Sequence, residues 1–205
     1  MNTTSTVRFC EKQNSLNSKK GRLFIISAPS GAGKTTLCKL VLSHFPDIIF
    51  SISYTTRSPR SKEANGADYY FISQDDFKDK IKEGKWLEWA KVYGNYYGTL
   101  AEFVKKNLAL GKDMLFDVDV QGTIQILDQY PDSVTIFIMP PSLAALELRL
   151  KSRGSDSKKV IAGRLVNAKK EMEQKDLYQH VIINDRLPEA AQKLISIIKQ
   201  HRSQR

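Results

Sequence analysis

Cysteine is almost missing from this chain: 205 residues contain two, Cys10 and Cys38. Their number and spacing exclude a disulfide framework and match no zinc pattern, and they fit a reducing cytoplasm. No apolar run approaches the length of a bilayer span, so a transmembrane helix is excluded. The first twenty-one residues, "MNTTSTVRFCEKQNSLNSKKG", have no apolar core and so form no secretory signal. Rich in Ser, Thr and Asn and poor in acids, the stretch has some flavour of an organelle transit peptide. A disordered polar leader over 1–20 fits it better. Acids are outnumbered by bases, 22 to 32, for a net charge of +10. Part of the excess sits in the tails, at Lys19, Lys20, Lys199, Arg202 and Arg205, and the rest is dispersed. No basic block is formed, which argues against a nucleic-acid stripe and for phosphate-handling side chains plus solvated surface. No internal repeat is evident. Hydrophobic and charged fractions of 41% and 26% are those of an ordinary globular protein, and the length suits one α/β domain with room for a small insertion.

What is present begins at residues 24–39, "FIISAPSGAGKTTLCK". An apolar strand-like run passes into a small-residue turn and then into a helical pattern. The turn reads A-P-S-G-A-G-K-T, one substitution from the G-x-x-x-x-G-K-[ST] phosphate loop, with Ala28 in the first glycine position. Gly31 and Gly33 let the backbone take positive φ and approach an anion closely. Successive N–H groups from Ala28, Pro29, Ser30, Gly31, Ala32 and Gly33 through Lys34, Thr35 and Thr36 would surround phosphates at the positive end of the next helix, proline contributing shape rather than a donor. Lys34 would reach the same oxygens and the Thr35 hydroxyl would ligate Mg²⁺. A glycine-rich helix start that binds nothing leaves the lysine after the last glycine unexplained. A nucleoside triphosphate site is expected.

The phosphate-loop helix should run over 34–44. A β-branched segment, "IIFSISYTTRSPR", then ends at Arg57 and Arg60, followed by the turn-rich "SKEANGAD" and a short strand, "YYFIS". Helices are expected over 73–83 and 99–110, with "KWLEWAKVYGNYYGT" between them as a hairpin about Gly94 and Asn95. From Met114 the pattern becomes core strands joined by helices: "MLFDVD", helical 121–129, "VTIFIM", helical 142–153 and 157–174 on either side of a "GSDS" hinge, "VIIN", and a terminal helix opened by Pro188. Alternating strands and helices imply a parallel sheet covered on both faces, binding ligands at the carboxyl ends of its strands. The segment 48–97 breaks the alternation and looks like an inserted antiparallel or mixed subdomain.

Taken together, "SAPSGAGKTT", "SYTTRSPRSKEANGADYYF", "LEWAKVYGNYYGT", "LFDVDVQG", "RLKSRG" and "VIIND" resemble the guanylate kinases, from Gly21 to the C-terminus. The departures are small: Ala28 for Gly, Thr35 where Ser is frequent, Thr99 where Ser also occurs. The resemblance implies Mg-dependent phosphoryl transfer from ATP to GMP, and to dGMP. It implies a core of 21–47, 98–148 and 178–205, a GMP-binding insert at about 48–97 and a helical lid at about 149–177. It implies partners that are small molecules, with no nucleic acid or membrane, and a monomer or weak homodimer. By position, Arg57, Arg60, Tyr69 and Tyr97 match the residues that grip the GMP phosphate. Glu88 and Asp119 match the acceptors of the guanine edge, Ser53 and Thr99 the hydroxyls near O6, and Asn184 belongs to the ATP site. Arg149, Arg153 and Arg164 match lid arginines on the transferring phosphates, and Asp117 would orient metal-bound water.

Physical chemistry supports the assignment without depending on it. Arginines on a turn make forked contacts to phosphate, though a tyrosine such as Tyr69 or Tyr97 can equally be packing, and Glu88 a solvated strand face. Guanine presents donors at N1 and N2, which carboxylates accept and which adenine lacks. Arg149 and Arg153 share a helix face at i, i+4, and Arg164 stands on the less polar side of its helix, either over the core edge or in a cleft. A phosphate nucleophile is already anionic, so no general base is needed; His44, His180 and His201 all lie away from the motifs. The rivals are a fold-sharing module that binds phosphorylated peptides, opposed by the retained Lys34 and Thr35, a kinase for another phosphate acceptor, opposed by Glu88, Asp119 and Thr99, and a nucleic-acid binder.

Overall fold

Leu23–Ser27, the strand β1, is buried along its whole length, as expected of a strand covered on both faces. The computed structural model describes residues 20–61, 63–92, 94–152 and 157–204. After β1 the described elements are α1 (Lys34–His44), β2 (Ile49–Phe50), β3 (Tyr54–Thr55), β4 (Tyr70–Phe71), α2 (Gln74–Lys82), β5 (Trp86–Val92), β6 (Asn95–Leu100), α3 (Ala101–Ala109), β7 (Met114–Asp117) and α4 (Val120–Gln129). They continue with β8 (Val134–Met139), α5 (Leu143–Ser152), α6 (Lys158–Met172), β9 (His180–Ile183) and α7 (Leu187–Ser203).

Five strands form a parallel sheet in the order β2-β7-β1-β8-β9. Strand alternation divides its side chains between two cores. Phe24 and Ile26 of β1, with Ile136 and Ile138 of β8, pack on Leu37 and Val41 of α1 and Leu194 and Ile198 of α7. Ile25 and Phe116 face the other way, onto Val104 and Leu108 of α3 and Ile126 of α4. Each such side chain, removed from water, contributes roughly 1.5–3 kcal/mol. The covered sheet is therefore a rigid base, and its strands all deliver their carboxyl ends to one rim.

A second sheet, β4-β3-β6-β5, is mixed: β5 and β6 are an antiparallel hairpin, β3 joins β6 antiparallel and β4 joins β3 parallel. Gly94, at φ 84°, takes the left-handed conformation the hairpin turn requires. This unit has its own aromatic core, in which Phe77 of α2 stacks on Trp86 at 4.2 Å and on Tyr96 at 5.2 Å. Ser73 caps α2 by accepting from the Asp76 N–H.

Two expectations need revision. The β-branched run at 48–56 is not one strand. Ile49 and Phe50 pair with β7 in the core sheet, whereas Tyr54 and Thr55 pair with β6 in the second. The helix expected from residue 99 begins at Ala101, because Thr99 is still paired with Glu88 in the hairpin. Among the described residues no helix is long and apolar enough to cross a membrane.

Candidate active site

Where β1 meets α1 the chain has almost no side-chain bulk, and the backbone shows why. Gly31 and Gly33 stand at φ 98° and 96°, values a Cβ would strain. Gly33 occupies the N-cap of α1 with no side-chain cap, so the first N–H groups of the helix remain available to an anion. The loop is held from outside. The Asn184 side-chain amide, 4% exposed, donates to the Ala32 carbonyl at 2.7 Å. A Cβ on Gly33 would stand 2.4 Å from that same amide nitrogen. Ala28 packs at the edge of the α1–α7 core. Pro29 is buried and accepts from the Ala32 N–H at 3.0 Å, while Ser30, Thr35 and Thr36 are exposed at the mouth.

Lys34 reaches across to the end of β7. Its ammonium donates to the Val118 carbonyl at 3.1 Å and pairs with Asp117. Burial alone would pull its pKa down, but the Asp117 carboxylate more than offsets this and holds it above the ordinary lysine value. Asp117 is thus a counter-ion to Lys34 at the carboxyl rim. Among the described residues no three His, Cys, Asp or Glu gather as a metal-binding group.

Opposite the loop, the second sheet presents a cationic and phenolic corner. The Arg57 guanidinium lies 5.5 Å from the Tyr69 ring centre, and the Tyr69 and Tyr97 rings meet edge to face at 5.9 Å. Burial is the main reason the Tyr69 phenol is raised, and its charged and phenolic neighbours are Asp117, Tyr97, Lys34 and Arg57. That set joins the corner to the phosphate loop. Arg60 is at the margin, its side chain 72% exposed. Ser53 is half-buried just before β3, and its carbonyl accepts from the Tyr70 N–H at 3.0 Å.

Deeper in the same cleft lie two carboxylates. Glu88 on β5 is 4% exposed. Asp119 caps α4, its Oδ1 accepting from the Gly122 N–H at 2.8 Å. Both converge on Gly122: a Cβ built there would stand 2.9 Å from Glu88 Oε2 and 3.5 Å from Asp119 Oδ1. Burial pushes the Glu88 carboxyl up to about 7, and the Asp119 charge adds to the shift. Thr99 is 1% exposed.

On the far side, Arg149 of α5 donates to the Asn184 carbonyl at 2.8 Å and so touches the residue that holds the loop. Arg164 is partly buried on α6. Arg153 and most of the expected "GSDS" hinge lie outside the described residues. Two acids at the site were not singled out from the sequence. Glu63 accepts from Arg57 Nη2 at 2.9 Å and from the Arg60 N–H at 2.8 Å, while Arg57 Nη1 donates to the Ser58 carbonyl at 2.7 Å. The Glu171 carboxyl, near the end of α6, is pushed up to about 7, mainly by burial, with Lys34 and Asp119 as its charged neighbours. Glu63 is in the loop three residues past Arg60, and Glu171 is two helical turns past Arg164. Each spacing could have flagged the acid.

The guanylate kinase family model matches residues 20–201. A guanylate kinase of Geobacter metallireducens is 45% identical over 90% of this chain and 91% of its own length. One of Neisseria meningitidis is 46% identical over 91% of both. The crystal structure of guanylate kinase from Anaplasma phagocytophilum superposes with a TM-score of 0.72 at 30% identity, covering 89% of this chain and 87% of that one.

Proposed function

The chain belongs to the guanylate kinase family, and from this we infer that it is an ATP:GMP phosphotransferase, moving the terminal phosphoryl group of ATP to GMP to give ADP and GDP. The observation that carries the reading is the convergence of the buried Glu88 and the half-buried Asp119 on Gly122, on the same side of the chain as the Arg57–Tyr69–Tyr97 corner and Lys34 of the phosphate loop. A buried acceptor at Glu88 and a half-buried one at Asp119 suit the donor edge of guanine and disfavour adenine, whose N1 is itself an acceptor. We assign Ser53 and Thr99 to the O6 side and Arg57, Arg60, Tyr69 and Tyr97 to the acceptor phosphate. The loop from Ala28 to Thr36, with Asn184, is assigned to ATP. dGMP should serve as well, because none of these assignments involves the 2′-hydroxyl.

Catalysis here is positioning and charge neutralisation. The attacking oxygen belongs to a phosphate that is already anionic, so no side chain has to remove a proton. Lys34 and the loop N–H groups stabilise the charge that develops on the transferring and leaving oxygens, and Arg149, Arg153 and Arg164 add to this from the lid. The donor set fits Mg²⁺: a threonine hydroxyl at the loop, one carboxylate at Asp117 and, among the described residues, no crowded acid cluster suit an ion that would keep several waters and substrate phosphates as ligands. Bound there, the ion would screen the β- and γ-phosphate charge. We further propose that 48–97 and 149–177 close over the core segments to exclude water. The protein would act in the cytoplasm as a monomer or weak homodimer, without nucleic acid.

The test is a coupled ADP-release assay with ATP and Mg²⁺ across GMP, AMP, CMP and UMP. GMP should be preferred by orders of magnitude; equal turnover of all four would overturn the assignment of the base pocket.

A further inference from the structure

β5 is the outer strand of the second sheet, so every other backbone group along it has no neighbouring strand to bond. At residues 87 and 89 that role is taken by α4. The Gln125 side-chain amide accepts from the Trp89 N–H at 3.0 Å and donates to the Trp89 carbonyl at 2.9 Å. One turn on, Gln129 donates to the Leu87 carbonyl at 3.0 Å. The two residues held are the immediate neighbours of Glu88. The N-cap of the same helix is Asp119, and its first turn holds Gly122, against which the Glu88 carboxylate lies.

We propose that Gln125 and Gln129 are positioning residues for acceptor choice, and that α4 is the gauge fixing the separation of Glu88 and Asp119. The inference rests on those two carboxylates reading guanine. An α-helix is stiff over this span, about 9 Å from Asp119 to Gln125. A strand tied to it by three hydrogen bonds cannot shift without losing them. Purine selectivity needs such stiffness, because a carboxylate displaced by an ångström accepts from N1 and N2 no better than from a base that lacks one donor. Both glutamines leave the substrate untouched and act through the backbone on either side of Glu88.

The bland alternative is that the glutamines only satisfy an open strand edge, in which case their loss would lower stability alone. Gln125→Leu/Gln129→Leu removes all three bonds. Gln125→Glu keeps the acceptor for the Trp89 N–H and loses the donor. The single Gln129→Leu, at an exposed position, covers the case in which the double variant does not fold. For each, kcat and KM are measured with GMP, with inosine monophosphate (which lacks the 2-amino donor) and with ATP, alongside the melting temperature. In the double variant we expect KM for GMP to rise about tenfold and the GMP-to-inosine-monophosphate ratio of kcat/KM to fall about tenfold. KM for ATP should stay within about twofold, with the two single variants intermediate. A lowered melting temperature with KM for GMP and that ratio unchanged would overturn the proposal. A parent enzyme that fails to prefer GMP would instead overturn the base-pocket assignment, before any variant is compared.

Discussion

Glu88 is an acid that water hardly reaches, and its titration should be visible in function. With its carboxyl pushed up to about 7 in the free protein, roughly half is protonated at neutral pH, yet guanine requires the ionised acceptor. GMP binding should therefore release protons near pH 7, and KM for GMP should rise as pH falls below that value. Calorimetry in buffers of different ionisation enthalpy reads the release. Glu88→Gln should reduce it and raise KM for GMP about 10- to 100-fold, the worth of one charge-assisted hydrogen bond. The sign for stability is opposite to that of a paired carboxylate. A folded pKa above the unfolded one favours the fold at acid pH, and this contribution is lost as pH rises through about 7. Glu88→Gln should thus melt above the parent at pH 8, with the advantage gone at pH 5. Lys34→Ala should lower kcat by about 10²- to 10³-fold, the usual loss for one preorganised charge-stabilising donor, as read in the ADP-release assay. Near-normal turnover in that variant would refute the role given to Lys34. Glu88 could be picked out of "WLEWA" only through the family resemblance, since strand alternation is equally satisfied by a solvated acid. Glu63 was passed over although it lies inside one of the family-like stretches, and Glu171 lies in none; what gives each acid its meaning, Arg57 beside Glu63 and Lys34 near Glu171, is contact in the folded chain.

At the scale of the element, the first turn of α4 offers a substitution whose effects on stability and function should separate. Alanine favours a helix over glycine by about 1 kcal/mol, and Gly122 is helical. A Cβ there would meet Glu88 Oε2 at 2.9 Å and the Val118 Cβ at 3.1 Å. The first contact is the free end of a flexible side chain, so the fold yields easily, but the atom that yields is the one assigned to guanine. Gly122→Ala should leave the melting temperature within a few degrees of the parent and raise KM for GMP by about tenfold. Helix starts and stops were legible wherever the signal was local: Ser73 capping α2, Gly33 opening α1, Gly94 turning the β5–β6 hairpin. Strand partnership was not. Ile49 and Tyr54 sit in one β-branched run and join different sheets, because β7 and β6 compete for them from far along the sequence. No periodicity over a dozen residues contains that choice.

For the molecule as a whole, the covered parallel sheet was readable from alternating strands and helices, and the second unit from the break in that alternation. The way the second sheet leans on the core was not, since it runs through Gln125 and Gln129 on α4, two glutamines that belong to none of the motifs. Binding in the cleft should stabilise the entire chain. Ligand at 100 times its Kd adds about 2.7 kcal/mol, which in a chain of this size corresponds to a melting temperature raised by about 5–10 °C. GMP should produce that shift and AMP at the same concentration should not; scanning fluorimetry reads both.

The Asn184 amide that holds the Ala32 carbonyl comes 152 residues after it. During synthesis the glycine turn leaves the ribosome early, as part of a strand and helix that cannot yet shape it. The residue that completes it follows only when β9 emerges and docks on β8. A growing polypeptide therefore has no braced glycine turn until β9 is in place, and truncation before residue 184 yields a chain carrying the whole motif without the Asn184 amide that holds it.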